Sequence, residues 1–345
     1  MPRLLGCIAS IIVVVAATIT ACANDHRANG APVIYPVGIR QVEFGERHLA
    51  LNVFYPAEPA PEGAKPFPMP MFTGLNFYPD LKPAVDGKRR PLILFSHGRG
   101  SNGLHYAWFA QKLASRGFIV AALNHYRANT YDTSIVYLAN KLWQRPRDLS
   151  LTVDFLLADP FWSPLIDADR IGVAGHSQGG FTSLWIGGAR VNADRFLAFQ
   201  QHWKNNLSLP ADLRNQMPLD PAPALNVADP RIKAAFAMAP GIIKDFGMDE
   251  DGLRQMKTPA YLTVGAADTQ TPPAENAEFA ADHIPGAELV VIPGADHEIF
   301  VNECDQGGRD ELPEACIDAP GVDRAAIHRQ VSDAAAEFFG AHLGG

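Results

Sequence analysis

No extended basic block appears anywhere in this sequence. Lys and Arg number 29 against 37 Asp and Glu, a formal net charge of −8 over 345 residues. Without a basic block or stripe there is no electrostatic footprint for nucleic acid, and no nucleic-acid partner is expected. Cysteine is scarce, with four in all: Cys7, Cys22, Cys304 and Cys316. None stands in a C-x-x-C pair, and no H-E-x-x-H or comparable ligand spacing occurs, so neither a metal nor a cofactor is implied. Internal repeats and low-complexity tracts are missing too; the 28 prolines and 29 glycines are dispersed. What is present is ordinary globular material, 47% hydrophobic, enough for a sizeable core. Length alone allows two domains, but α/β enzymes of this size often form one.

The N-terminus stands apart. Arg3 precedes an apolar run from Leu4 to Ile19 that closes in Ile19-Thr20-Ala21-Cys22. A positive start followed by a short apolar stretch reads as an export signal. The closing letters resemble the lipobox of bacterial lipoproteins, in which the cysteine becomes the lipid-bearing N-terminus. The expected division is a signal peptide over residues 1–21, a polar tether over 22–36 and one domain over 37–345. The protein is then an exported, lipid-anchored protein of the bacterial cell envelope, held to the membrane through Cys22. Two rival readings use the same letters. Ala21-Cys22-Ala23 fits ordinary signal cleavage, which releases a soluble protein, and the run is at the short limit for a retained membrane helix. Export into an oxidising compartment favours a disulfide between Cys304 and Cys316, with two buried free thiols as the alternative.

Further along, segments of different period alternate. Residues 38–44 and 48–55 alternate in polarity about Gly45-Glu46 and predict an antiparallel hairpin. Residues 56–87 are rich in proline and predict a loop packed over the core, with lining of a substrate entrance as the other reading. Apolar runs at 91–96, 118–123, 171–174, 232–238, 260–264 and 288–292 predict buried strands. Helical spacing falls between several of them, at 105–115, 148–158 and 181–186, and a closing helix is expected over 323–339. Strands alternating with helices imply right-handed crossovers and a mostly parallel sheet, here of about eight strands with helices on both faces. Residues 189–228 interrupt the rhythm with Phe196, Phe199, Trp203, Leu207, Leu209 and Met217. This insertion is either a lid near the catalytic edge or a helical decoration packed elsewhere.

The stretch on which the rest is organised is Ile171-Gly172-Val173-Ala174-Gly175-His176-Ser177-Gln178-Gly179-Gly180. A strand, G-x-S-x-G and a helix in succession make a nucleophile elbow. The glycines let the chain fold back closely, and the serine hydroxyl is lifted out at a helix N-terminus, where the Gln178 amide faces developing negative charge. A second amide is expected from Arg99, in the loop His97-Gly98-Arg99-Gly100 that follows a central strand. His97 reads as a structural histidine orienting that loop.

Serine needs an oriented base. Asp268 follows the strand at 260–264, and His297 follows the last strand, so the order Ser177, Asp268, His297 is that of the α/β-hydrolases. Other residues compete for these roles. Asp268 also suits a helix cap, Asp245 is a rival acid, Asp296 and Glu298 are too close in sequence to orient His297, and His176 is expected to pack beneath the elbow.

These motifs resemble the α/β-hydrolase superfamily, and more narrowly its dienelactone-hydrolase-like and platelet-activating-factor-acetylhydrolase-like branch. The resemblance is carried by Phe95-Ser96-His97-Gly98, by the stretch from Leu113 to Ala122, by the elbow, and by Val53-Phe54-Tyr55-Pro56-Ala57, and it covers residues 38–341. It implies a triad of Ser177, Asp268 and His297 with oxyanion amides from Arg99 and Gln178. The insertion is longer than expected, and the nucleophile is serine, not the cysteine of dienelactone hydrolases proper. The expected activity is hydrolysis of a small-molecule or lipid-like carboxylic ester through an acyl-enzyme. A peptidase or acyltransferase of the same fold, or a non-catalytic envelope lipoprotein, are the other readings.

Overall fold

The structure is a computed structural model and describes residues 33–215 and 226–344. Residues 1–32, with Cys7 and Cys22, lie outside the described residues, as do 216–225 of the insertion. The strands in chain order are β1 (Val37–Phe44), β2 (Leu49–Pro56), β3 (Tyr78–Pro79), β4 (Arg90–Ser96), β5 (Ile119–Asn124), β6 (Ile166–His176), β7 (Ile232–Met238), β8 (Ala260–Gly265) and β9 (Glu288–Ile292). They form one sheet in the order β3-β1-β2-β5-β4-β6-β7-β8-β9. β1 and β2 make the expected antiparallel hairpin, and β2 also runs antiparallel to β5. From β5 to β9 every pairing is parallel.

The sheet has nine strands among the described residues where about eight were expected. The proline-rich stretch accounts for the addition, since its Tyr78 and Pro79 pair with Gly38 and Ile39 at the sheet edge. An edge strand needs few donors, so proline is tolerated there. The rest of this stretch packs as a loop, with Phe77 buried edge-on against Phe54.

β4 and β5 are buried at every position, as continuous apolar runs require when both faces are covered. One face is covered by α1 (Ala107–Ser115) and the closing helix Arg324–Leu343, which pack on each other. Phe109 and Phe339 meet Phe236 of β7 there, and each buried phenylalanine contributes about 1.5–3 kcal/mol. The other face carries α2 (Gln144–Ala158) and α3 (Gln178–Ile186), which also touch. The insertion contributes α4 (Ala193–Asn205), capped by Asn192. Cys304 and Cys316, 12 residues apart, form the expected disulfide. Closing a loop of that length restricts the unfolded chain by about 3 kcal/mol in the chain-entropy treatment.

Candidate active site

Strand register decides which loops meet. Ser96 at the end of β4 is level with Gly175 of β6, His176 with Met238 of β7, Met238 with Thr263 of β8, and Gly265 with Ile292 of β9. The turns after these strands therefore open on one edge of the sheet. Ser177 turns the chain from β6 into α3 at φ 56° and ψ −121°, a conformation costly for any residue with a Cβ. It is pinned on both sides: its amide donates to the Met238 carbonyl at 2.9 Å, and its carbonyl accepts from Phe181 at 3.0 Å and Gly241 at 3.2 Å. The flanking glycines are obligatory here. A Cβ at Gly179 would lie 1.9 Å from the Ser96 carbonyl oxygen, and one at Gly175 2.3 Å from that of Gly179.

His297 opens a helical turn after β9, and Asp296 caps that turn instead of orienting the imidazole. His297 Nδ1 lies 2.7 Å from Asp268 Oδ2, and both side chains are buried. Asp268 also accepts from the amides of Gln270 and Thr271, at 2.9 and 2.8 Å, and from the Thr271 hydroxyl at 2.8 Å. Burial by itself raises this carboxyl; the bonds from His297 and Thr271 outweigh it and hold Asp268 below its ordinary value. It therefore stays an acceptor, and His297 Nδ1 carries the proton. The helix-cap reading of Asp268 is not realised: the amides it accepts from close an Asx turn, and the helical turn Pro273–Glu275 that follows begins at Pro272 without a side-chain cap. Asp245, the rival acid, is exposed.

Neutral histidines wire the loops together. His176 Nε2 donates to the His297 carbonyl at 3.0 Å, which leaves Nδ1 to accept from Tyr106, also at 3.0 Å. Tyr106 in turn accepts from the Gly98 amide at 3.2 Å. His97 Nε2 accepts from the His125 amide at 3.1 Å, so its Nδ1 donates to the Gly98 carbonyl at 2.7 Å. The peptide unit is planar, so fixing the Gly98 carbonyl also fixes the Arg99 amide on its opposite side. Gly98, the residue before Arg99, stands beside Ser177, because a Cβ on it would lie 3.5 Å from Ser177 Cβ. Gln178 begins α3, so its amide has no intrahelical acceptor.

Ser177, His297, Arg99 and Gln178 line one cavity of about 550 Å³. Phe72 of the proline-rich stretch and Cys316 of the disulfide lie in its wall, so that stretch packs over the core and also lines this cavity. Thr271 and Tyr106 were missed as site residues. Thr271 carries a local signal, its spacing of three from Asp268 in an Asx turn; Tyr106 carries none.

A second chain of the same residue types lies deeper. Ser96 Oγ is 2.8 Å from His125 Nε2, and His125 Nδ1 is 3.2 Å from Asp148 Oδ2. These three are 0%, 0% and 1% exposed, so no substrate reaches the hydroxyl. The group is braced by Arg47 on Asp148 at 2.7 Å and by Arg145, which bonds Ser96 and the His97 carbonyl. It is a strut behind the Gly98 loop.

Burial lowers the imidazoles of His97, His125 and His176 well below their usual value, His105 to about 4 and His328 to about 3. In the unfolded chain all five titrate near 6.5. Unfolding below that pH takes up protons, so stability is full above about 6.5 and falls as pH drops towards about 4. Asp148, which burial pushes up to about 7, and Glu303, which burial also raises, work the other way, but they are two groups against five. Each proton taken up on unfolding steepens the fall by about 1.4 kcal/mol per pH unit. Urea unfolding at pH 7.5 and pH 5 checks this: the midpoint is expected to be clearly lower at pH 5, and an equal or higher one contradicts it.

The mostly parallel sheet, the strand-turn-helix at Ser177 and the order of the strand-end residues have the architecture of the α/β-hydrolase fold. A ferulic acid esterase from Streptomyces cinnamoneus superposes with a TM-score of 0.63 at 20% identity, covering 91% of this chain and 92% of its own. More narrowly, residues 78–145 match the family described as platelet-activating factor acetylhydrolase, isoform II. Over 141 residues the chain is 31% identical to a platelet-activating factor acetylhydrolase of Bos taurus, across 28% of this chain and 32% of that protein. Dipeptidyl-peptidase 5 of Porphyromonas gingivalis is 30% identical over 129 residues, 35% of this chain and 18% of its own length. The matched part thus spans about a third or less of these curated relatives.

Proposed function

We propose that this protein is a serine carboxylic ester hydrolase working through an acyl-enzyme. The observation that carries the reading is a serine on a strained strand-to-helix turn that shares a cavity with a histidine bonded to a buried carboxylate. His297 Nε2 takes the proton of Ser177 as Oγ attacks the ester carbonyl. Asp268 keeps the proton on Nδ1 and stabilises the imidazolium that forms. The amides of Arg99 and Gln178 receive the oxyanion, and a donor of this kind is worth about 3–4 kcal/mol in a comparable serine hydrolase. His297 then protonates the leaving alcohol, and water, activated by the same imidazole, releases the acid. The acetylhydrolase and esterase relatives support an ester as substrate. A fluorophosphonate probe is expected to label the folded protein at Ser177, read by peptide mass. A folded protein that stays unlabelled overturns the assignment and favours the non-catalytic reading.

The likeness to a dipeptidyl-peptidase supports a second reading, amide cleavage by the same residues. Rates on matched ester and anilide substrates separate the two. We also propose that the chain is exported and anchored through a lipid on Cys22. The supporting observation is the run from Leu4 to Cys22; no helix among the described residues is long and apolar enough to cross a membrane. In a bacterial host the protein is expected in the membrane fraction and Cys22→Ser in the soluble fraction; equal partitioning of the two rejects the anchor.

A further inference from the structure

A second, smaller cavity of about 60 Å³ adjoins the main one. Arg99, Gln178, Trp203, Ile242 and Phe246 line both, whereas Ser177 and His297 line only the larger. This asymmetry assigns the two halves of an ester. His297 gives its proton to the leaving alcohol, so the alcohol lies in the large cavity. The carbonyl oxygen lies between Arg99 and Gln178, residues common to both cavities. The acyl substituent is thereby directed into the small one.

That cavity has one wall built by the insertion. Its polar floor of His125, Arg145 and Asp148 is buried and cross-bonded. Leu142, just before α2, is buried as well. Trp203 of α4 is only half-buried and closes the cavity from the rim. It is held in place by an aromatic ladder: Trp203 meets Phe199 at 5.7 Å, Phe199 stands edge-on to Phe246 at 5.0 Å, and Phe246 meets Phe181 of α3 at 5.3 Å. Removing it therefore enlarges the small cavity without disturbing the floor.

We propose that Trp203, backed by Phe199, is the residue that limits the size of the acyl group entering the site. The inference rests on the esterase reading above. If a water needs about 10–15 Å³ by this measure, the small cavity holds an acyl substituent of on the order of four heavy atoms.

The test is kcat/KM of the full chain on p-nitrophenyl acetate, butyrate and octanoate. Wild type is expected to favour the two short esters. Trp203→Ala is expected to raise the octanoate-to-acetate ratio about tenfold or more, and Trp203→Leu to raise it less. Leu207→Ala, on the same insertion but in neither cavity wall, is expected to leave the ratio unchanged. Thermal melts show which variants are folded, and Trp203→Leu keeps a side chain over Phe199 should alanine loosen α4. An unchanged ratio in the folded Trp203 variants overturns the proposal, as does an equal rise in Leu207→Ala. A wild type that cleaves none of the esters overturns the esterase reading, and this inference with it.

Discussion

Ser177→Ala is expected to lower kcat on p-nitrophenyl acetate by about 10⁴- to 10⁶-fold, the range seen when the nucleophile of a serine triad is removed. Such a loss is total for the acyl-enzyme route, and what remains is the contribution of oxyanion amides and substrate binding. The fold is expected to survive. The strain at Ser177 comes from φ 56°, which alanine shares, and its pins to Met238, Phe181 and Gly241 are all backbone bonds. The variant should therefore unfold at the wild-type urea concentration while failing to turn over substrate. Activity within tenfold of wild type in the folded variant sinks the nucleophile assignment, and with it the reading of the elbow.

Asp268→Asn has the next largest expected effect, about 10⁴-fold in kcat near neutral pH. The carboxylate receives His297 Nδ1, two backbone amides and the Thr271 hydroxyl. An amide in its place offers an N–H on one side. If that N–H faces Nδ1, the imidazole proton moves to Nε2, where a base must accept. If the oxygen faces Nδ1, the N–H meets the amides of Gln270 and Thr271, and the Asx turn loses an acceptor. The first outcome disables the histidine outright, and the second loosens the turn that aims its partner. Because the asparagine is uncharged, the imidazolium formed during attack also loses its counter-charge. A variant that keeps a tenth or more of wild-type kcat excludes Asp268 as the orienting acid. The exposed Asp245 is the control: Asp245→Asn is expected to leave kcat within about twofold of wild type.

Much of this site was legible because its signals are local. G-x-S-x-G between an apolar run and a helical one identifies the elbow, since only glycine tolerates the close approaches at positions 175 and 179. Asp268 and His297 were found as residues just past strand ends. The disulfide followed from the export reading, which favours pairing of the two cysteines outside the leader. The leader reading is equally local, and its residues lie outside the described structure. Less legible was the paired edge strand Tyr78–Pro79, too short to show a period and carrying a residue that argues against strand.

The buried chain Ser96, His125, Asp148 marks the boundary most clearly. It has the right residue types and the right bonds, and although Ser96 lacks the G-x-S-x-G elbow and the chain order is Ser, His, Asp, neither fact by itself seals it from solvent. Burial does, and burial is a property of all the elements packed around a point. The same holds for Tyr106, which joins the Gly98 loop to His176 across 70 residues, and for Trp203, whose place between two cavities no pattern in the insertion announces. The sequence by itself determined the class of fold and which residues stand at strand ends, because turns, periods and glycine requirements are settled by neighbours along the chain. Only the tertiary structure decided which of those residues share a cavity, which are sealed off and that Trp203 stands between two cavities, because register across the sheet and packing on its faces bring together groups that no local interaction relates.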